Sequence, residues 1–96
     1  MKEADYKLIS ATSEGEILIA YKSKQDIKFS SVKQIEFVTH RYGKGAAEGY
    51  AMNYFIRITK ENNETAQYPK EKMDLEAAKK VLIESGVAFN ERDEII

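Results

Sequence analysis

Side-chain chemistry needs groups that converge, and this 96-residue chain offers few candidates. His40 is the sole histidine. As a base it would need a nucleophile or an orienting partner, and a lone His at a strand end reads as a structural or solvated side chain. With no second His and no Cys, metal binding would fall to carboxylates alone. No D-x-D-x-D-G loop occurs among them, and Glu91, Asp93 and Glu94 sit together without a rigid frame. Catalysis would require carboxylates such as Glu36 and Glu48 to meet in a pocket. We therefore assign no catalytic residue, no metal and no cofactor.

The most distinctive local stretch is Arg41-Tyr42-Gly43-Lys44-Gly45. Its glycines can expose backbone amides to an anion while Arg41 and Lys44 add charge. It lacks the G-x-x-x-x-G-K-[ST] spacing of a nucleotide loop. The plainer reading is a hairpin tip whose glycines relieve turn strain and whose charges keep it soluble. If the tip acts, it touches a macromolecule, because loop tips project outward. Six tyrosines add interface-forming side chains. Tyr42, Tyr50, Tyr54 and Tyr68 are expected to line one edge with Arg57, or else Tyr50 and Tyr54 are half-buried sheet residues. The candidate binding residues are thus Arg41, Tyr42, Lys44, Tyr50, Tyr54 and Arg57.

Composition narrows the class. The chain is 43% hydrophobic and 32% charged, ordinary for a folded protein of one domain. Fifteen basic against sixteen acidic residues leave a net charge of −1, far from a strongly basic nucleic-acid binder. The halves differ, however. Residues 1–60 carry ten basic and seven acidic side chains, and residues 61–96 carry five and nine. Residues 22–44 hold six positive charges against Asp26 and Glu36, which keeps nucleic-acid binding as the alternative function. The start, Met1-Lys2-Glu3-Ala4-Asp5, lacks a basic then apolar leader, and no window reaches the length of a membrane span. A cytoplasmic location is the expectation.

Period-two alternation predicts strands over residues 6–11, 16–22, 27–29, 32–40, 50–59 and 65–68. Residues 41–49 form the longest loop, and Pro69 ends the sixth strand. From Asp74 the period becomes helical, with Leu75, Ala78, Val81 and Leu82 on one stripe, Asp74 as N-cap and Gly86 as C-cap. Lys79 and Lys80 are placed toward its solvated side. Val87 to Phe89 can add a short strand, and residues 91–96 read as an acidic tail. The fold class is α+β, an antiparallel sheet or partial barrel of about six strands followed by one C-terminal helix. Tyr50, Met52, Tyr54, Ile56 and Ile58 are expected to face Leu75, Ala78 and Leu82 across the core.

Successive short strands, the segment Ser31-Val32-Lys33-Gln34-Ile35-Glu36-Phe37, the hairpin through Tyr54-Phe55-Ile56-Arg57-Ile58 and the helix from Asp74 to Ser85 together set a pattern. In this order it resembles a small bacterial pleckstrin-homology-type (PH-like) domain, spanning residues 1–90 as one unit. The resemblance implies a binding scaffold without catalysis. Phosphoinositide-binding members gather basic residues at the first hairpin, where this chain has Thr12-Ser13-Glu14-Gly15 and then Glu16. Phosphoinositide binding is not supported. The expected function is a small non-enzymatic module for protein–protein interaction, through a partner protein or self-association, using a sheet edge or the 41–49 hairpin.

Overall fold

A computed structural model describes residues 5–22, 24–43 and 50–95, with the side chains of residues 42, 43, 50, 51 and 95 left out of the description. The expected α+β class holds, with seven strands and one helix among the described residues. Strands β1 (Tyr6–Ala11), β2 (Ile17–Tyr21) and β3 (Ile27–Phe29) form one antiparallel sheet in the order β1-β2-β3. Strands β4 (Val32–Gly43), β5 (Tyr50–Lys60), β6 (Thr65–Pro69) and β7 (Asn90–Ile95) form a second, in the order β6-β5-β4-β7. Neither sheet is closed. Helix α1 (Leu75–Glu84) falls between β6 and β7 in sequence and packs against β1.

Four expectations are corrected. There are two separate sheets rather than one sheet or partial barrel. The chain after the helix is not a tail: Asn90–Ile95 pairs with β4 in parallel, from Glu36↔Asn90 to Arg41↔Ile95. Residues 87–89 carry no strand, and pairing begins at Asn90, one residue before the charged run. Strand β4 also continues through Arg41, Tyr42 and Gly43, taking three residues from the expected loop, of which 44–49 lie outside the described residues.

One face of each sheet turns inward. Leu8 and Ile19 from the first sheet meet Ile35, Phe37, Ile56 and Ile58 from the second, with Met73, Ala78 and Leu82 closing the side. Each fully buried Ile or Leu contributes about 1.5–3 kcal/mol by leaving water. The expected stripe of β5 is only half used. Ile56 and Ile58 are in the core, Tyr54 is half-buried and Met52 is 39% exposed. The β4–β5 ribbon therefore runs on beyond the layer that covers it, and the molecule extends to 45 × 32 × 24 Å.

Short local devices make the connections. The Asp74 carboxylate accepts the Ala77 amide at 3.1 Å, capping α1 as expected. The C-cap is Ser85, one residue before Gly86. Gly86 takes φ +71°, while the Gly86 amide donates to Ile83 and that of Val87 to Leu82. Ser31 (φ +58°) stands where the chain passes between the sheets, and Gly15 (φ +87°), in the β1–β2 turn, lies against that passage. The Val32 amide donates to the Gly15 carbonyl at 3.0 Å, and the Glu61 amide to that of Ser31 at 2.7 Å. A Cβ on Gly15 would sit 2.7 Å from the Val32 carbonyl oxygen, so backbone approach as well as φ requires glycine there. Asn63 takes φ +70° in the β5–β6 turn, the conformation its asparagines suit.

Candidate functional site

Alternation along β4 puts Glu36, Val38 and His40 on the face away from the core, beside Phe55 and Arg57 of β5 and Arg92 and Glu94 of β7. His40 Nε2 lies 2.6 Å from Glu94 Oε1. Arg57 Nη1 lies 3.3 Å from Glu94 Oε2 and 3.7 Å from Glu36 Oε1. Arg92 reaches Glu36 Oε2 at 3.4 Å through Nη1 and Glu94 Oε2 at 2.9 Å through Nε. Beneath the charges, the His40 ring meets Phe55 edge-on at 4.7 Å, and the Arg57 guanidinium stands 5.4 Å from the same ring. Hydrogen bonds from Arg57 and then His40 hold the Glu94 carboxyl below its ordinary pKa.

Both carboxylates are engaged by guanidinium groups, and two acids against two arginines balance. The network fastens β7 to the sheet; it does not present an open acid–base pair. Of the proposed carboxylate pair, Glu36 is 5% exposed inside this network, and Glu48 lies outside the described residues. No group of three or more His, Cys, Asp or Glu among the described residues is placed to hold a metal.

The opposite face of the ribbon is different. Past the core, Thr39 and Tyr54 form the floor of an open groove of about 880 Å³, walled by Leu75 and Lys79 of the N-terminal half of α1 and by Glu91 and Asp93 of β7. Lys79 Nζ pairs with Glu91 at 3.1 Å and stands 5.2 Å from the Phe37 ring, so it bridges helix and β7 rather than facing only solvent. Lys70 Nζ lies 4.9 Å over Tyr54, whose hydroxyl reaches Met52 Sδ at 3.6 Å.

The six candidate binding residues do not share one surface. Arg41 pairs with Asp93 of β7 at 3.1 Å, on the groove face of the sheet, as Tyr54 is. Arg57 is on the other face, in the ionic network. Tyr68 is not beside Arg57: its ring packs 4.8 Å from Tyr6, which stacks on Tyr21 at 4.6 Å. Parity separates them, since Ile56↔Tyr68 and Arg57↔Gln67 are successive pairs. Tyr42 and Tyr50 lie in β4 and β5 with side chains outside the description, and Lys44 lies outside the described residues altogether. The basic 22–44 region is divided too. Lys22 pairs with Asp5 at 3.6 Å, Lys33 donates to Asn63, and Lys28 is exposed on β3.

Sequence reasoning missed the groove and the β7 half of the ionic network. The available signal was weak: in Asn90-Glu91-Arg92-Asp93-Glu94, one parity holds Glu91 and Asp93 and the other Arg92 and Glu94. Without an apolar side, that alternation does not announce a strand.

Comparison of the chain with protein-family models, with curated proteins and with solved structures finds no match. Among the described residues, no helix is long and apolar enough to cross a membrane.

Proposed function

We propose that the protein is a small non-enzymatic module that binds another protein through the groove on the ribbon. The observation that carries this reading is the reach of β4 and β5 beyond their cover, which leaves Thr39 and Tyr54 as a floor, Met52 exposed, and an open cleft of about 880 Å³ beside α1. A groove with an aromatic floor and polar walls suits a chain segment of a partner, because an amphipathic ring gives contact area at little entropic cost. The PH-like scaffold belongs to the same proposal. Its support is the run of six antiparallel-paired strands before an amphipathic helix, with β7 as an addition to that pattern. The cytoplasm remains the proposed compartment.

The test is site-specific photo-crosslinking in cells. A benzophenone side chain is placed at Glu76 beside the groove, and at Lys28 and Gln67 away from it. A discrete protein adduct from position 76 alone, abolished when Thr39→Trp fills the floor, is the expected result. Adducts of equal yield from all three positions, or none from position 76, would remove the groove from the proposal.

A further inference from the structure

We infer that the segment this groove takes is cationic: an extended peptide bearing Lys or Arg, one of whose side chains displaces Lys70 from the ring of Tyr54. This rests on the groove reading above and names its ligand class. Two separate features lead there.

The first is charge. Glu71, Asp74 and Glu76 before and within the first turn of α1, with Glu91 and Asp93 of β7, line the groove against two cations, Lys70 and Lys79, while Arg92, which also borders it, has its guanidinium engaged by Glu36 and Glu94. Glu91 is matched by Lys79, Asp93 by Arg41, and Asp74 is occupied in capping the helix. Glu71 and Glu76 are exposed and make no ion pair among the described residues. The surplus on the walls is negative and unmatched, which favours an incoming positive group and steers its approach.

The second is the use the groove already makes of its rings. An ammonium group stands over each of two aromatic faces, Lys79 over Phe37 and Lys70 over Tyr54. Ring quadrupole and nearby carboxylates both favour a cation there. Lys79 is anchored by Glu91 at 3.1 Å. Lys70 is exposed and has no carboxylate partner among the described residues, so the Tyr54 face is held by a cation that can be exchanged. A guanidinium suits that exchange, being planar and more weakly hydrated than an ammonium. Exposed Met52 extends the floor for the methylene stem of such a side chain.

The experiment uses the full chain and two short fluorescein-labelled peptides, one alternating Arg with Leu and one with Glu in place of each Arg. Binding is read by fluorescence anisotropy for the natural protein, for Glu71→Lys with Glu76→Lys, and for Lys70→Ser. Lys70, Glu71 and Glu76 are exposed, and circular dichroism melts verify folding of every variant. The basic peptide is expected to bind at least about tenfold tighter than the acidic one, and the double reversal to weaken it by about tenfold. Lys70→Ser is expected to tighten it about threefold by removing the internal competitor. Equal affinity for both peptides, no binding of either, or an affinity untouched by the reversal or by Lys70→Ser would each overturn the inference. A peptide bound without regard to charge but lost in Thr39→Trp would sink the cationic ligand while leaving the groove in place. Self-association abolished by the double reversal, without peptide binding, would assign the groove to a second copy and overturn the inference.

Discussion

At the scale of single residues, His40 and Glu94 change meaning once their neighbours are known. In sequence, His40 is a lone titratable group and Glu94 one acid among several near the end. In the fold, His40 Nε2 and Arg57 both donate to the Glu94 carboxylate, and Phe55 supports the imidazole from below. The Glu94 carboxyl is held below its ordinary value of 4.5, Arg57 first and His40 second in cause. Its contribution to stability is therefore present above that ordinary value and is lost as pH falls through the lowered folded-state value. Thermal melts at neutral pH and at a pH below the ordinary carboxylate range check this. Glu94→Gln is expected to lower the melting temperature at neutral pH and to lose less than the natural protein on acidification. Parallel pH profiles for the two proteins would show that Glu94 does not carry the effect. The face occupied by Glu36 and His40 was legible from alternation along β4. Their partners were not, because the pairing spans more than fifty residues and depends on the register of a strand with no apolar side.

At the scale of elements, caps and periodicity were the most legible features. Asp74 and Gly86 mark the ends of α1 by local backbone chemistry, and the Ala78–Leu82 stripe marks its buried face. Asp74→Ala is expected to cost about 1 kcal/mol, the usual worth of an N-cap. For a chain of this size that lowers the melting temperature by roughly 4–8 °C. A thermal scan beside Asp74→Asn, which keeps the cap, separates loss of capping from loss of charge; equal destabilisation by both would favour charge. Strand β7 was illegible for the opposite reason. Its residues are nearly all polar, so it carries no burial signal, and it becomes a strand only because β4 offers an open edge and α1 returns the chain to it in parallel. Its charges also suit an edge, where unpaired backbone groups would otherwise invite pairing with another chain.

At the scale of the whole molecule, the joint between the two sheets carries the assembly. Ser30 and Ser31 alone connect β3 to β4, and the Gly15 carbonyl accepts the Val32 amide across that joint. Gly15→Ala would force a side chain onto the Val32 carbonyl at φ +87°, a backbone region costing an L-residue about 1–2 kcal/mol before the clash is counted. We expect a fall of at least about 8 °C in melting temperature with a single cooperative transition, since both sheets share one core. An unchanged melting curve would show that the joint is not under this constraint. By itself the sequence determined the α+β class, the six strands up to Pro69, and the helix with its Asp74 N-cap and the Gly86 turn that follows its end, though the C-cap itself is Ser85. These follow from period, turn chemistry and capping, all of which act between near neighbours. Only the tertiary structure decided that the strands divide into two open sheets, that residues 90–95 are the seventh strand, and that Arg41 and Arg57 occupy opposite faces. It also decided that a groove opens beside Tyr54, because a cleft exists only where one layer stops short of another, and no stretch of chain records where its distant neighbour ends.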